Sequence, residues 1–209
     1  LILTMFATLG VFLAKDLFTM FIFFEVMSLS SYVWVAQEET EEALKVGGMY
    51  LAVAVIGGMV LLMGLFLLNN ALGTLRMEDL YETVLLKWEE KSGQIYTAGF
   101  LMLFGFGAKA GMFPMHFWLP KAHPVAPAPA SALLSGILTK CGVFGILILT
   151  AEVFVHDQLW GSVILVLGII GMMAGAILAV FSVNLKRTLA CSSVSQIGFI
   201  LVGVGMQCY

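Results

Sequence analysis

Three ionisable residues, Glu25, Lys109 and Lys140, stand inside long apolar runs, several residues from the nearest flanking charge. A charge at bilayer depth costs roughly 2.5–3.5 kcal/mol on insertion scales. A chain keeps such groups mainly where they pair with one another or where protons or ions move past them. His116 and His123 lie on either side of Pro120, shortly after Lys109. Imidazole titrates nearest physiological pH and can hand protons between lysines. A carboxyl, two amines and two imidazoles in apolar surroundings point to charge movement across a membrane.

Glu25 falls about eight residues into its predicted helix, roughly 12 Å from the helix start at 1.5 Å per residue. Lys15 and Asp16 are more than two turns away, so the carboxyl is either protonated or paired with a cation from another helix. Lys109 is the nearest candidate by type. A buried Lys–Glu pair is a two-state electrostatic device, because moving the charges together or apart changes whether the lysine keeps its proton. The alternative is a structural salt bridge locking two helices. Lys140 has no obvious partner within its own helix, so its protonation would follow its neighbours' charge, as a relay requires. The alternative there is a lysine that only faces a water-filled cavity. His116 and His123 equally suit hydrogen bonds that fix a backbone break, and His123, after Lys121, also suits the mouth of a path. Ser131, Ser135 and Thr139 share approximately one helical face with Lys140 and suit water-carrying or helix packing. His156, beside Asp157, is a surface residue on this pattern.

The elements that must position these groups follow from composition. The 209-residue chain is 61% hydrophobic and 11% charged, with mean hydropathy +1.03, whereas soluble domains carry about a quarter charged residues. This is the composition of an integral, multi-pass membrane protein, all α. Leu1–Ala14 is predicted as the tail of a spanning helix and residues 17–37 as the second, with Glu25 in its middle. Glu38, Glu39, Glu41, Glu42 and Lys45 form a polar loop, and residues 46–72 the third helix. Residues 76–94 mix Leu80, Tyr81, Val84, Leu85 and Trp88 with charges at helical spacing, predicting a connector helix at the membrane interface. From Ile95 the chain re-enters the membrane. Gly105, Gly107, Gly111, Pro114 and Pro120 then predict a discontinuous helix, one piece to about Met112 and a second around residues 116–119. Broken helices mark cavities and ion sites, because freed backbone groups need protein or water. Residues 130–155, 158–183 and 188 onward complete about six full spans plus a partial one. The chain begins at Leu1 and ends at Tyr209 inside apolar stretches, and is expected to be a fragment of one longer membrane domain. Positive residues in alternate loops tie, so orientation is open.

Several classes are excluded. A net charge of −3 gives no case for a nucleic-acid partner. Cys141, Cys191 and Cys208 have no metal or cluster spacing, and the GFGAKAG run lacks the βαβ setting of a dinucleotide site. No nucleophile–base constellation appears, so no active site and no cofactor of its own are expected.

The run FGFGAKAGMFPMHFWLPKAHPVAPAPASALLSGILTKCGVFG, Gly105 through Gly145 at its core, resembles the antiporter-like membrane subunits of respiratory complex I, Mrp-type sodium/proton antiporters and membrane-bound group 4 hydrogenases. FFEVMSLSSY (Phe23–Tyr32) and NLKRTLACSSVSQIGF (Asn184–Phe199) are similar to further segments of that family. The resemblance implies a fold of about fourteen helices with two inverted five-helix repeats, of which this chain would hold the fourth, incomplete, to the tenth. It further implies that Glu25 is the glutamate of the fifth helix, Lys109 the lysine of the broken seventh and Lys140 the connecting lysine of the eighth. Asn184 stands where many members have Asp, and Lys121 where many have an acidic residue. The AHPVAPAPASALLSG stretch leans to the hydrogenase and Mrp-like branches. The expected function is proton translocation, with or without sodium exchange, by a subunit that works with other membrane subunits in a bacterial or archaeal cell membrane. A redox-driven complex of the NADH:quinone oxidoreductase or group 4 hydrogenase type is the first reading. A multisubunit Mrp-type antiporter is the second, and a non-conducting structural scaffold the third.

Overall fold

Apolar runs of this length satisfy their backbone in lipid only as helices or closed barrels. The computed structural model describes residues 1–207, and they form helices and turns with one isolated bridge, Asp16 to Arg76. The elements are α1 (Ile2–Leu13), α2 (Leu17–Ala36), α3 (Glu41–Leu72), α4 (Met77–Ala110), a 3-10 turn (Met115–Trp118), α5 (Leu119–Val125), α6 (Ala128–Leu133), a π segment (Leu134–Leu138), α7 (Thr139–Ile148), a second π segment (Leu149–Val153), α8 (Gln158–Val180) and α9 (Leu185–Met206). Taken through their breaks, six of these helical stretches are long and apolar enough to cross a membrane, and α1 is a shorter apolar helix. Cys208 lies outside the described residues.

Helix starts follow their capping residues. Asp16 accepts from Thr19 N–H at 2.8 Å, Thr40 from Ala43 N–H at 3.1 Å, and Asp157 from Trp160 N–H at 2.7 Å. Asn184 accepts from Lys186 N–H at 3.0 Å. Each side chain satisfies a donor that the first helical turn leaves free. The Thr40 cap corrects the expected polar loop. Glu41, Glu42 and Lys45 belong to α3, whose first turn gains from two carboxylates beside its positive end.

Residues 77–90 run into the following span with a single non-helical residue, Lys91 (φ −125°, ψ 16°). Two lysines of this segment serve α3. Lys87 Nζ donates to Leu72 O at 2.7 Å and Lys91 Nζ to Ala71 O at 3.3 Å, covering carbonyls at the α3 C-terminus. The bundle packs as α1 on α2, α2 on α3, α3 on α4, α4 on α7, and α8 on α9, with α5 held against α9. The main core gathers Leu61, Leu65, Met102, Phe106, Cys141 and Ile146, among others, between α3, α4 and α7.

The discontinuous helix forms where glycine and proline predict it. α4 stops at Gly111, which adopts the left-handed conformation (φ 76°) that a side chain would strain, and whose N–H returns to Gly107 O. Pro114, after a cis peptide bond, leads into the 3-10 turn. Trp118 Nε1 then reaches back to Ala108 O at 2.8 Å. Two carbonyls of the last α4 turn, those of Gly107 and Ala108, are thus met by protein donors.

Candidate functional site

Lys109 is the penultimate residue of α4, directly before the break, and is 3% exposed. A cation in a last helical turn lies against the negative end of the helix dipole. Its ammonium donates to Tyr50 Oη at 2.6 Å and, more weakly, to Ser31 Oγ at 3.5 Å. Nζ lies 4.7 Å from the Tyr50 ring centroid, but the short contact is to the phenol oxygen, so the hydroxyl rather than the ring face holds it. Tyr50 comes from α3 and Ser31 from α2, so three helices converge on one amine.

The expected partner is close but not bonded. No ion pair joins Glu25 to Lys109; the ion pairs found among the described residues link Arg76 to Glu78 and Asp79. Lys109 nevertheless acts electrostatically on the Glu25 carboxyl. Glu25 Oε1 is buried without a hydrogen bond, as is Ser28 Oγ one turn along. The carboxyl fits because residue 58 of α3 is glycine. A Cβ there would lie 2.2 Å from Oε1 and 2.6 Å from Cδ. Buried polar atoms normally have partners, and an exception calls for a specific explanation, of which a functional role is one.

Lys140 occupies a different setting. The stretch expected as one helix over residues 130–155 runs Ala128–Val153 and contains two π segments, the first ending immediately before α7. The π turn rearranges the carbonyls around Ser135, whose O accepts from Lys140 Nζ at 2.7 Å and from Thr139 Oγ1 at 3.0 Å. Ser135 Oγ meets Ser193 Oγ of α9 at 2.6 Å. Lys140 faces a cavity of about 470 Å³ lined also by His123, Ser131, Ser135, Lys186, Ser193 and Gln196.

His123, on α5, is 2% exposed; its Nδ1 contacts Ser131 Oγ at 2.5 Å and its Nε2 makes no hydrogen bond. Lys186, at the start of α9, donates to Ala126 O at 2.8 Å and so fixes the end of α5 beside the cavity. The structure therefore places His123 and Lys140 on one cavity and Glu25 within electrostatic range of Lys109, with no bond in either pair. His116 sits on the 3-10 turn, stacked on Phe113 at 5.6 Å, with a buried and unbonded Nδ1. His156 is exposed, and Asn184 serves as the α9 cap.

A buried lysine thus ends the first piece of the broken helix, with an unbonded carboxyl in its electrostatic range and a second lysine on α7. A family model described as "NADH:quinone oxidoreductase/Mrp antiporter, TM" matches residues 14–209. The chain belongs to this antiporter-like family. Hydrogenase-4 component B of Escherichia coli (strain K12) is 37% identical over 193 residues, which is 90% of this chain and 28% of that protein. A subunit of the Na(+)/H(+) antiporter of Alkalihalophilus pseudofirmus is 33% identical over 198 residues, 94% of this chain and 40% of that protein. A chain in the Mrp complex from Dietzia sp. DQ12-45-1b superposes with a TM-score of 0.89 at 30% identity, over 98% of this chain and 38% of that one. The chain thus spans less than half the length of these relatives, and it is an integral, multi-pass membrane protein.

Within this antiporter-like bundle, sequence reasoning does not anticipate Tyr50, Ser31, Trp118 or Lys186. Tyr50 carries a signal, as a lone tyrosine inside the apolar stretch of α3. Polar tips in such stretches need a partner when buried. The π segment beside Lys140 has no comparable signal.

Proposed function

We propose that the chain moves protons across the membrane as part of a larger multisubunit complex of the NADH:quinone oxidoreductase or group 4 hydrogenase type. The observation that carries this reading is Lys109 itself. It is buried at the end of a broken helix, held by hydroxyls instead of a counter-charge, and within electrostatic reach of an unbonded Glu25 carboxyl. A lysine fixed only by neutral oxygens can lose or gain a proton without breaking an ion pair. Glu25 then sets how firmly Lys109 keeps that proton.

The cavity of His123 and Lys140 is the wet end of the arrangement, where serine hydroxyls and imidazole exchange protons with water. Lys140 passes charge laterally. Cys141, its neighbour on α7, already lies within electrostatic range of Lys109. His116 is a secondary exchange site at the break. Energy comes from electron transfer in a partner protein, and the subunits beside this one are membrane proteins.

A second reading is proton exchange for sodium in an Mrp-type assembly, favoured by the likeness to the Alkalihalophilus antiporter and to the Dietzia Mrp complex. Sodium-dependent proton release from proteoliposomes without any electron donor supports that reading over the redox-driven one. The scaffold alternative is tested by the full-length chain in its native complex with Glu25→Gln and Lys109→Met combined. Conduction predicts that the complex assembles and proton uptake is lost. Undiminished uptake leaves the scaffold reading standing.

A further inference from the structure

The hydroxyls around Lys109 have a proton order that can be derived. Ser31 Oγ donates its single proton to Ser28 O at 2.8 Å. It must therefore accept in its 2.5 Å contact with Tyr50 Oη. The phenol proton is committed to Ser31, and Tyr50 presents a lone pair to Lys109 Nζ at 2.6 Å. The chain of donors runs from Lys109 to Tyr50 to Ser31 and stops at a backbone carbonyl, which cannot pass a proton onward. This branch orients the lysine and does not conduct.

We propose that Tyr50, backed by Ser31, is a positioning residue that latches Lys109 away from Glu25 in one of two resting places open to its ammonium. The inference rests on the proposed proton path through Lys109 and adds the residue that decides when the lysine meets the carboxyl.

The second resting place is the face of α2. Glu25, Ser28 and Ser31 follow one another at three-residue spacing on that helix, so they lie along one side. Ser31 is bonded, whereas Glu25 Oε1 and Ser28 Oγ are buried and unbonded. Swinging Nζ from Tyr50 to Glu25 exchanges a neutral acceptor for a charged one and satisfies a bare oxygen. The latch itself is rigid. Tyr50 is 1% exposed and packs on Trp118 at 5.0 Å between ring centroids. Trp118 in turn donates to Ala108 O, the carbonyl just before Lys109. The phenol and the lysine backbone share one brace, so motion is left to the lysine side chain. Around Lys109 the titratable groups include Glu25 from α2 and Cys141 from α7, both in its electrostatic range, and Tyr50 from α3, which it bonds.

The test uses the full-length chain in its native complex, reconstituted in liposomes, with proton uptake measured against pH. Tyr50→Phe keeps the ring on Trp118 and removes only the acceptor. The expected result is an assembled complex whose pH profile has its midpoint displaced by about half a unit or more, as loss of a charge-assisted bond requires. Ser31→Ala leaves Tyr50 in place and is expected to displace the midpoint in the same sense by less. A purely structural tyrosine changes the amount of assembled complex but not the midpoint. Should Tyr50→Phe fail to assemble, the Ser31→Ala profile decides alone. Profiles that superimpose on the wild type overturn the latch. If Lys109→Met also leaves uptake undiminished, the underlying path has failed; if Lys109→Met abolishes uptake, only the latch has.

Discussion

Two lysines on helices that pack together, Lys109 and Lys140, live in opposite surroundings. Lys109 is 3% exposed and bonded to side-chain hydroxyls from two other helices. Lys140 is half-buried, bonded to a main-chain carbonyl five residues back, and faces a serine-lined cavity. The first junction is closed, and its unbonded carboxyl makes it sensitive to small movements of charge. The second borders a cavity lined by hydroxyls, imidazole and a second lysine, and its amine is anchored to a carbonyl of the π turn. The contrast teaches that residue type alone does not set a lysine's part in a path. The helix break isolates Lys109, and the π segment exposes Lys140.

The largest break in that contrast is expected at the closed junction. Glu25→Gln in the full-length complex should slow proton uptake by about tenfold or more, since it removes the carboxyl in electrostatic range of Lys109, with assembly unchanged on a native gel. An accessibility measurement sharpens the contrast from the other side. Ser193→Cys, at the cavity, should react with a water-soluble thiol reagent about tenfold faster than Ser28→Cys at the buried junction, since thiol chemistry needs reagent access. Equal rates would erase the distinction between wet and dry. Gly58→Ala should displace the Glu25 carboxyl, because its Cβ would stand 2.2 Å from Oε1. Overpacking of this kind costs about 1–3 kcal/mol, visible as a lower melting temperature together with slower uptake. The smallest effect belongs to Lys186→Met, which removes the hydrogen bond to Ala126 O. It should cost about 0.5–1.5 kcal/mol and leave uptake at saturating driving force nearly unchanged.

The long apolar runs announce the helices, and glycine and proline between Gly105 and Pro120 announce the break, because these residues act through local backbone preference. Glu25, Lys109 and Lys140 are legible as isolated charges in apolar sequence. What those charges touch is not. Lys109 meets Tyr50 from 59 residues away, a choice made by the packing of α3 on α4 and not by any local pattern. The start of α3 lies earlier than the hydropathy pattern predicts because acidic residues look like loop, although after Thr40 they strengthen a helix start. The π segments stay hidden, since no residue type demands one.

Proton uptake by proteoliposomes carrying the full-length complex with Lys109→Met tests the central claim most directly. Intact assembly, with uptake reduced to the level of empty liposomes, is the expected result. Uptake equal to the wild type, in an assembled complex, would contradict a proton path through Lys109.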